Sequence, residues 1–146
     1  MSECPFCAIV EGRLDQEIVA SEGDAVAFLC EPPATQGHTL VVPRHHRCDI
    51  WDTEPHEIAQ VVELARRLAA VMRERLGATG INLRQNSGAR AGQDVFHFHL
   101  HVVPRYEDDT VQPGCVWGSP PWQPPPNRPE DRRRIAGMLR DGFAGA

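Results

Sequence analysis

The chain has 146 residues, 41% of them hydrophobic, with 12 glycines besides, an apolar share typical of soluble globular domains. A chain of this length buries roughly 70% of the surface its unfolded form exposes, so one core forms without disulfide help; collagen, coiled coil and disorder are excluded as descriptions of the whole. Fifteen cationic side chains, all Arg, stand against 20 Asp and Glu for a net charge of −5, which argues against broad contact with a nucleic-acid backbone but leaves room for a local Arg-lined pocket.

No apolar run approaches the length of a membrane span, and the opening MSECPFCAIVEG lacks the basic and long apolar parts of a secretory signal, so a cytosolic protein without a membrane partner is expected. Five cysteines, an odd number, make a disulfide framework improbable in that setting. The Cys4/Cys7 pair reads instead as metal or redox chemistry, and Cys30, Cys48 and Cys115 as ordinary thiols.

In chain order, Glu17 to Ser21 and Ala25 to Leu29 are short strands joined by the turn residues SEGD, and Thr39 to Val42 is a β-branched third strand stopped by Pro43. From Glu54 to Leu76, Ile58, Val61, Val62, Ala65, Leu68, Ala69 and Met72 recur at three- and four-residue spacing and predict an amphipathic helix, with Thr53 as its N-cap, Pro55 in the first turn and Gly77 as its stop. Gly80 to Asn86 alternates as a fourth strand, and SGARAGQD forms a glycine loop leading to a fifth over Val95 to Val103. Seven of the 13 prolines then fall between Pro113 and Pro129, where no regular element fits. A last helix is expected from about Glu130 to Leu139. The proline-rich stretch, with Trp117 and Trp122, is expected to pack over the domain or a partner subunit.

Within VFHFHLHVV, His97, His99 and His101 alternate with Phe98, Leu100 and Val102. In a strand this presents three imidazoles on one side, with neighbours about 6.6 Å and the outer pair about 13 Å apart, too far for one metal to bind all three. Thr or Lys would solvate a strand face equally well. Histidine is distinctive because it is nucleophilic when neutral and can give each ring nitrogen a different partner. Independently, Cys4-Pro5-Phe6-Cys7 can present two thiolates to a tetrahedral Zn²⁺ if two further ligands come from elsewhere. A thioredoxin-like dithiol would need a strand before Cys4, and there is no room for one.

HFHLHVV resembles the signature of the histidine triad, or HIT, family of nucleotide hydrolases and transferases. Gln36-Gly37-His38-Thr39-Leu40-Val41-Val42-Pro43, Asn86-Ser87-Gly88 and Ala91-Gly92-Gln93 resemble further family segments in order and spacing, from about Cys4 to Arg105. The resemblance implies an α+β HIT-like fold, an antiparallel sheet of about five strands with one long helix and a short C-terminal helix. The HIT domain would span residues 1–110, with a proline-rich extension over 111–146, and the chain would form a homodimer.

By the same resemblance His99 attacks the α-phosphorus of a nucleotide, forming a nucleotidyl-imidazole that water hydrolyses, while His101 and His38 orient phosphate oxygens and assist the leaving group. Asn86, Gly92, Gln93 and Asp94 become phosphate- or ribose-side contacts. Two residues depart from the family pattern: Asp94 stands where Ser or Thr is common, and Cys30 where an Asp often grips the ribose. In the zinc-carrying branch the cysteine pair is completed by two histidines, which gives Cys4, Cys7, His46 and His97 as a closed structural site, with His45 the rival of His46. The implied reaction is cleavage of a dinucleoside polyphosphate or nucleoside phosphoramidate to release a nucleoside monophosphate. A nucleotidyltransferase and a non-catalytic nucleotide sensor are the alternatives. His56 is assigned no role, and Arg105 is read as a phosphate neighbour or a surface ion pair.

Overall fold

The computed structural model describes residues 3–109 and 123–145. It begins with a helix that the sequence reading missed, α1 (Pro5–Val10). Pro5 sits in the first turn, where a missing N–H costs nothing, and the Sγ of the capping Cys4 accepts from the Cys7 N–H at 3.5 Å. Six residues are too few for a helical period to show in the sequence.

β1 (Ile18–Glu22) and β2 (Ala25–Leu29) form the expected hairpin, followed by β3 (Thr39–Pro43), α2 (Pro55–Leu76), β4 (Gly80–Gln85), a 3-10 turn at Ala89–Ala91, β5 (Leu100–Arg105) and α3 (Pro129–Ala144). The five strands form one antiparallel sheet in the order β1-β2-β3-β5-β4. This is the α+β architecture with one long helix and a C-terminal helix that the sequence implies, although α3 runs five residues beyond its expected end.

Both faces of the sheet are covered over β2 and β3. Ala25, Ala27, Leu29, Val41, Phe98, Leu100 and Val102 pack against Val61, Leu64, Leu68 and Met72 of α2 and Ile135 and Leu139 of α3. On the opposite face Val26, Phe28, Leu40 and Val42 pack against Phe6 and Ile9 of α1. β2, buried on both sides, therefore reads as a continuous apolar run rather than an alternating one. The C-terminal helix shares the main core. Trp117, Trp122, Cys115 and the placement of the proline-rich stretch before Gln123 lie outside the described residues.

Two details of α2 differ from expectation. Its N-cap is Glu54, not Thr53: the Glu57 carboxylate accepts from the Glu54 N–H in a capping box, while the Thr53 hydroxyl donates to the Asp49 carbonyl at 2.7 Å. Val62 lies outside the buried stripe, which runs through Val61, Leu64, Ala65, Leu68, Val71 and Met72; a position adjacent to Val61 is rotated about 100° round the helix.

The histidine strand is also shorter than expected. β5 begins at Leu100, because Leu100 is the last residue with partners on both sides, Val41 of β3 and Gln85 of β4. Ahead of it the Phe98 N–H donates instead to the Arg47 carbonyl at 2.6 Å. His97 and His99 thus sit in irregular backbone, yet the alternation survives, with Phe98 turned into the helix-side core and the imidazoles toward α1.

Candidate active site and metal centre

His99 is 2% exposed, its ring edge-on to Phe6 with centroids 5.1 Å apart. Its Nδ1 lies 2.7 Å from the main-chain oxygen of His97, a group that can only accept. Nδ1 therefore carries a proton, which in the neutral form of the ring leaves the lone pair on Nε2. This is the tautomer that a nucleophilic imidazole needs.

A second chain of bonds fixes His38 and His101. The Ala34 N–H donates to His38 Nδ1 at 2.9 Å, which assigns the His38 proton to Nε2; that nitrogen donates to His101 Nδ1 at 2.9 Å and so assigns the His101 proton to its own Nε2. Burial, reinforced by the neighbouring imidazoles, lowers His38 to about 3, and burial with the neighbouring His99 lowers His101 to about 4, so both rings are neutral near pH 7. The His99 and His101 rings stand 5.1 Å apart. Cys30 brings a third ligand atom near His38 and His101, but the Ala34 amide commits His38 Nε2 to a proton, so that trio is a hydrogen-bonded group and not a metal site.

The glycine loop carries Asn86, Gly92, Gln93 and Asp94, of which Asp94 reaches the His99 ring. Gly88 and Gly92 have φ of +91° and +93°, a region that favours glycine, at either end of the 3-10 turn. Gln93 is buried and braces the loop from within: Oε1 accepts from the Gly88 N–H at 2.7 Å, and Nε2 donates to the carbonyls of Cys48 and Val95. Asn86 donates toward the Gly92 carbonyl and accepts from Arg84. Asp94, with its side chain 81% exposed, accepts from the Val95 N–H and places Oδ1 3.7 Å from His99 Nε2. Cys30 contacts the Pro32 carbonyl, and burial pushes its thiol up to about 12. Glu31 is paired with Arg132, and Arg105 with Asp109 and Asn82.

Cys4, Cys7, His46 and His97 form a second cluster, their ligand atoms all within 4.8 Å of one another. His97 Nε2 donates to the Pro43 carbonyl at 2.9 Å, leaving the Nδ1 lone pair aimed at both sulfurs, 3.5 Å from each. Cys7 Sγ is 3.4 Å from His46 Nδ1. A tetrahedral zinc ion sets sulfur–nitrogen edges of about 3.6 Å, so this donor set fits a closed structural zinc site. His45 points elsewhere, its Nδ1 3.7 Å from the buried Glu57 carboxylate. The backbone just after the two histidines is pinned, since Arg47 bonds Glu57 at 2.8 Å and its carbonyl takes the Phe98 amide.

The sequence reading missed Phe6, whose ring touches His97 and His99, and the Arg47–Glu57 pair. A Phe between two spaced cysteines was the available signal for the first; nothing local marked the second.

The family model for the HIT domain matches residues 11–108. The chain belongs to the HIT family. An uncharacterised HIT-like protein of Mycoplasma genitalium is 43% identical over 106 residues, covering 73% of this chain and 75% of that protein. One of Mycobacterium tuberculosis is 39% identical over 143 residues, 97% of this chain and 93% of that one. Among solved structures, a Zn-bound histidine triad family protein from Mycobacterium smegmatis superposes with a TM-score of 0.80 at 35% identity, covering 98% of this chain and 97% of that one. A HIT family hydrolase from Legionella pneumophila gives 0.63 at 29% identity, over 72% and 95%. The Cys4-Cys7-His46-His97 cluster is compatible with the zinc-binding Cys-x-x-Cys branch of the HIT family. Among the described residues, no helix is long and apolar enough to cross a membrane.

Proposed function

We propose that this HIT protein is a nucleotide-binding hydrolase that cleaves a dinucleoside polyphosphate or a nucleoside phosphoramidate and releases a nucleoside monophosphate. The observation that carries the reading is the Nδ1 bond of His99: with that proton held by the His97 carbonyl, the neutral ring offers Nε2 as the nucleophile. His99 Nε2 attacks the α-phosphorus, the leaving group departs with the bonding pair, and a nucleotidyl-imidazole remains for water to hydrolyse. His101, its Nε2 proton fixed through His38 and the Ala34 amide, donates to a phosphate oxygen or the leaving atom. Asn86, Gly92, Gln93 and Asp94 shape the phosphate and ribose side, Gln93 by bracing the loop and Asn86 through the Gly92 carbonyl.

The zinc held by Cys4, Cys7, His46 and His97 has no open position for a substrate and ties α1 to the segment bearing the nucleophile. The solved HIT family hydrolase of Legionella pneumophila supports the reaction class. A homodimer is part of the reading: β4 is an edge strand, and its Leu83 is 53% exposed. So is the division into a HIT domain over 1–110 and an extension over 111–146 in a cytosolic protein.

The test is His99→Ala assayed against both substrate classes. The reading expects loss of turnover by 10³-fold or more with nucleotide binding retained, on the order of what removal of a covalent nucleophile costs. Turnover at the wild-type rate contradicts it.

A further inference from the structure

The Cys48 N–H donates to Asp52 Oδ2 at 2.7 Å, and the carbonyl of that same peptide group, belonging to Arg47, accepts from the Phe98 N–H at 2.6 Å. The Phe98 N–H in turn shares its peptide group with the His97 carbonyl, which takes the Nδ1 proton of His99 at 2.7 Å. A carboxylate is thus joined to the back of the His99 ring through two peptide groups and three hydrogen bonds. Each is shorter than the usual N–H···O separation of about 2.9–3.0 Å. Both peptides are trans, so each is a planar link whose N–H and C=O point in opposite directions, and every donor along the chain faces Asp52. Other side chains hold the links in place. The buried Glu57 carboxylate takes the Arg47 side chain at 2.8 Å, and Gln93 Nε2 donates to the Cys48 carbonyl at 2.7 Å. The Asp52 N–H is held in turn by Oδ1 and the main-chain oxygen of Asp49.

We propose that Asp52 is a positioning residue for His99, acting through the Arg47–Cys48 and His97–Phe98 peptide groups. Its charge polarises each group in turn, so the His97 carbonyl becomes a stronger and better oriented acceptor for the Nδ1 proton. The role rests on the reading of His99 as nucleophile. When the Nε2 lone pair forms the bond to phosphorus, the bond to the leaving group breaks with its electron pair on the leaving atom. Nδ1 keeps its proton through this step, and the ring becomes cationic. That developing charge meets an acceptor already in place and backed by a carboxylate, as it does where a carboxylate bonds a catalytic imidazole directly. The interaction strengthens in the transition state, so its loss falls on kcat more than on KM. Asp52 is exposed, and solvent screening holds the effect to about the scale of one ordinary hydrogen bond, roughly three- to tenfold in rate.

The experiment compares the full-length protein, prepared without chelator, as wild type, Asp52→Asn, Asp52→Ala and Asp49→Asn. Asp52→Asn keeps an acceptor for the Cys48 N–H and removes only the charge, and Asp49→Asn removes a charge from the same turn but outside the chain. Bound zinc is measured in each, together with the proton resonance of His99 Nδ1 in protein carrying isotope-labelled histidine, assigned by its absence in His99→Ala. Steady-state kinetics use diadenosine triphosphate or an adenosine phosphoramidate, whichever wild type turns over faster. The resonance should move upfield in Asp52→Asn and further in Asp52→Ala, with kcat lower by about threefold and about tenfold and KM within about twofold. Zinc should stay at the wild-type content, and Asp49→Asn should leave the resonance in place. An unmoved resonance or an unchanged kcat in both Asp52 variants, an equal shift in Asp49→Asn, or zinc lost from an Asp52 variant overturns the role of Asp52 while leaving the nucleophile standing. Failure of wild type to cleave either compound overturns the hydrolase reading instead, and the resonance then decides by itself whether Asp52 reaches His99.

Discussion

The main-chain carbonyl of His97 accepts the Nδ1 proton of His99 across 2.7 Å, so a zinc-ligating residue sets the tautomer of the residue that we propose attacks phosphorus. His97 is itself anchored twice, by its Nε2 proton on the Pro43 carbonyl and by its Nδ1 beside the two sulfurs. Metal centre and nucleophile are therefore two ends of one three-residue segment.

That continuity makes zinc matter for turnover without touching substrate. Protein prepared without chelator should contain about one zinc per chain, and Cys4→Ser/Cys7→Ser none. Burial and the neighbouring Cys4 push the Cys7 thiol up to about 11 in the absence of a metal, so binding must displace protons and retention should weaken on acidification. The double variant should unfold several degrees lower and lose at least tenfold in kcat with a smaller change in KM, a split measured by thermal melts and steady-state kinetics.

His38 is expected to act through His101. In His38→Ala the His101 Nδ1 loses its donor, and the ring can turn or take the other tautomer. We expect kcat to fall by about 10²-fold, the scale of a mispositioned acid–base group. His38→Gln can both accept from Ala34 and donate to His101, so it should recover part of the rate, whereas a purely packing role for His38 would give no such recovery.

Stability should also report these rings. His38 and His101 titrate near 3 and 4 in the folded chain, below the ordinary 6.5, so the unfolded chain binds more protons between those limits. Their neutral burial is consequently an advantage present above about pH 6.5, and it is lost as pH falls toward 4. Each ring contributes up to about 1.4 kcal/mol of destabilisation per pH unit across that window. Denaturant melts at pH 7, 5.5 and 4.5 should show the decline, and a shallower one in His38→Gln.

Much of this arrangement was readable from residues. Hydrophobic spacing located α2 and the first hairpin, and the paired cysteines pointed to a metal, because residue type restricts that chemistry sharply; His46 and His97 as the completing ligands came from the family resemblance. What the sequence could not supply was non-local geometry. Whether His45 or His46 reaches the metal depends on which one Glu57, on a distant helix, draws away. The end of β5 at Leu100 depends on where its two neighbours stop pairing. Gln93, expected at the ligand, spends its polar atoms inside the loop, an allocation set by the Cys48 and Val95 carbonyls.

The most direct test of the central claim is mass spectrometry of wild-type protein mixed with excess substrate and quenched within milliseconds at alkaline pH, which preserves a phosphorus–nitrogen bond. Added mass equal to one nucleotidyl group on the peptide carrying His99, absent in His99→Ala, is the expected result. Rapid turnover with an unmodified His99 peptide, or with the nucleotidyl group on His97 or His101, would contradict it.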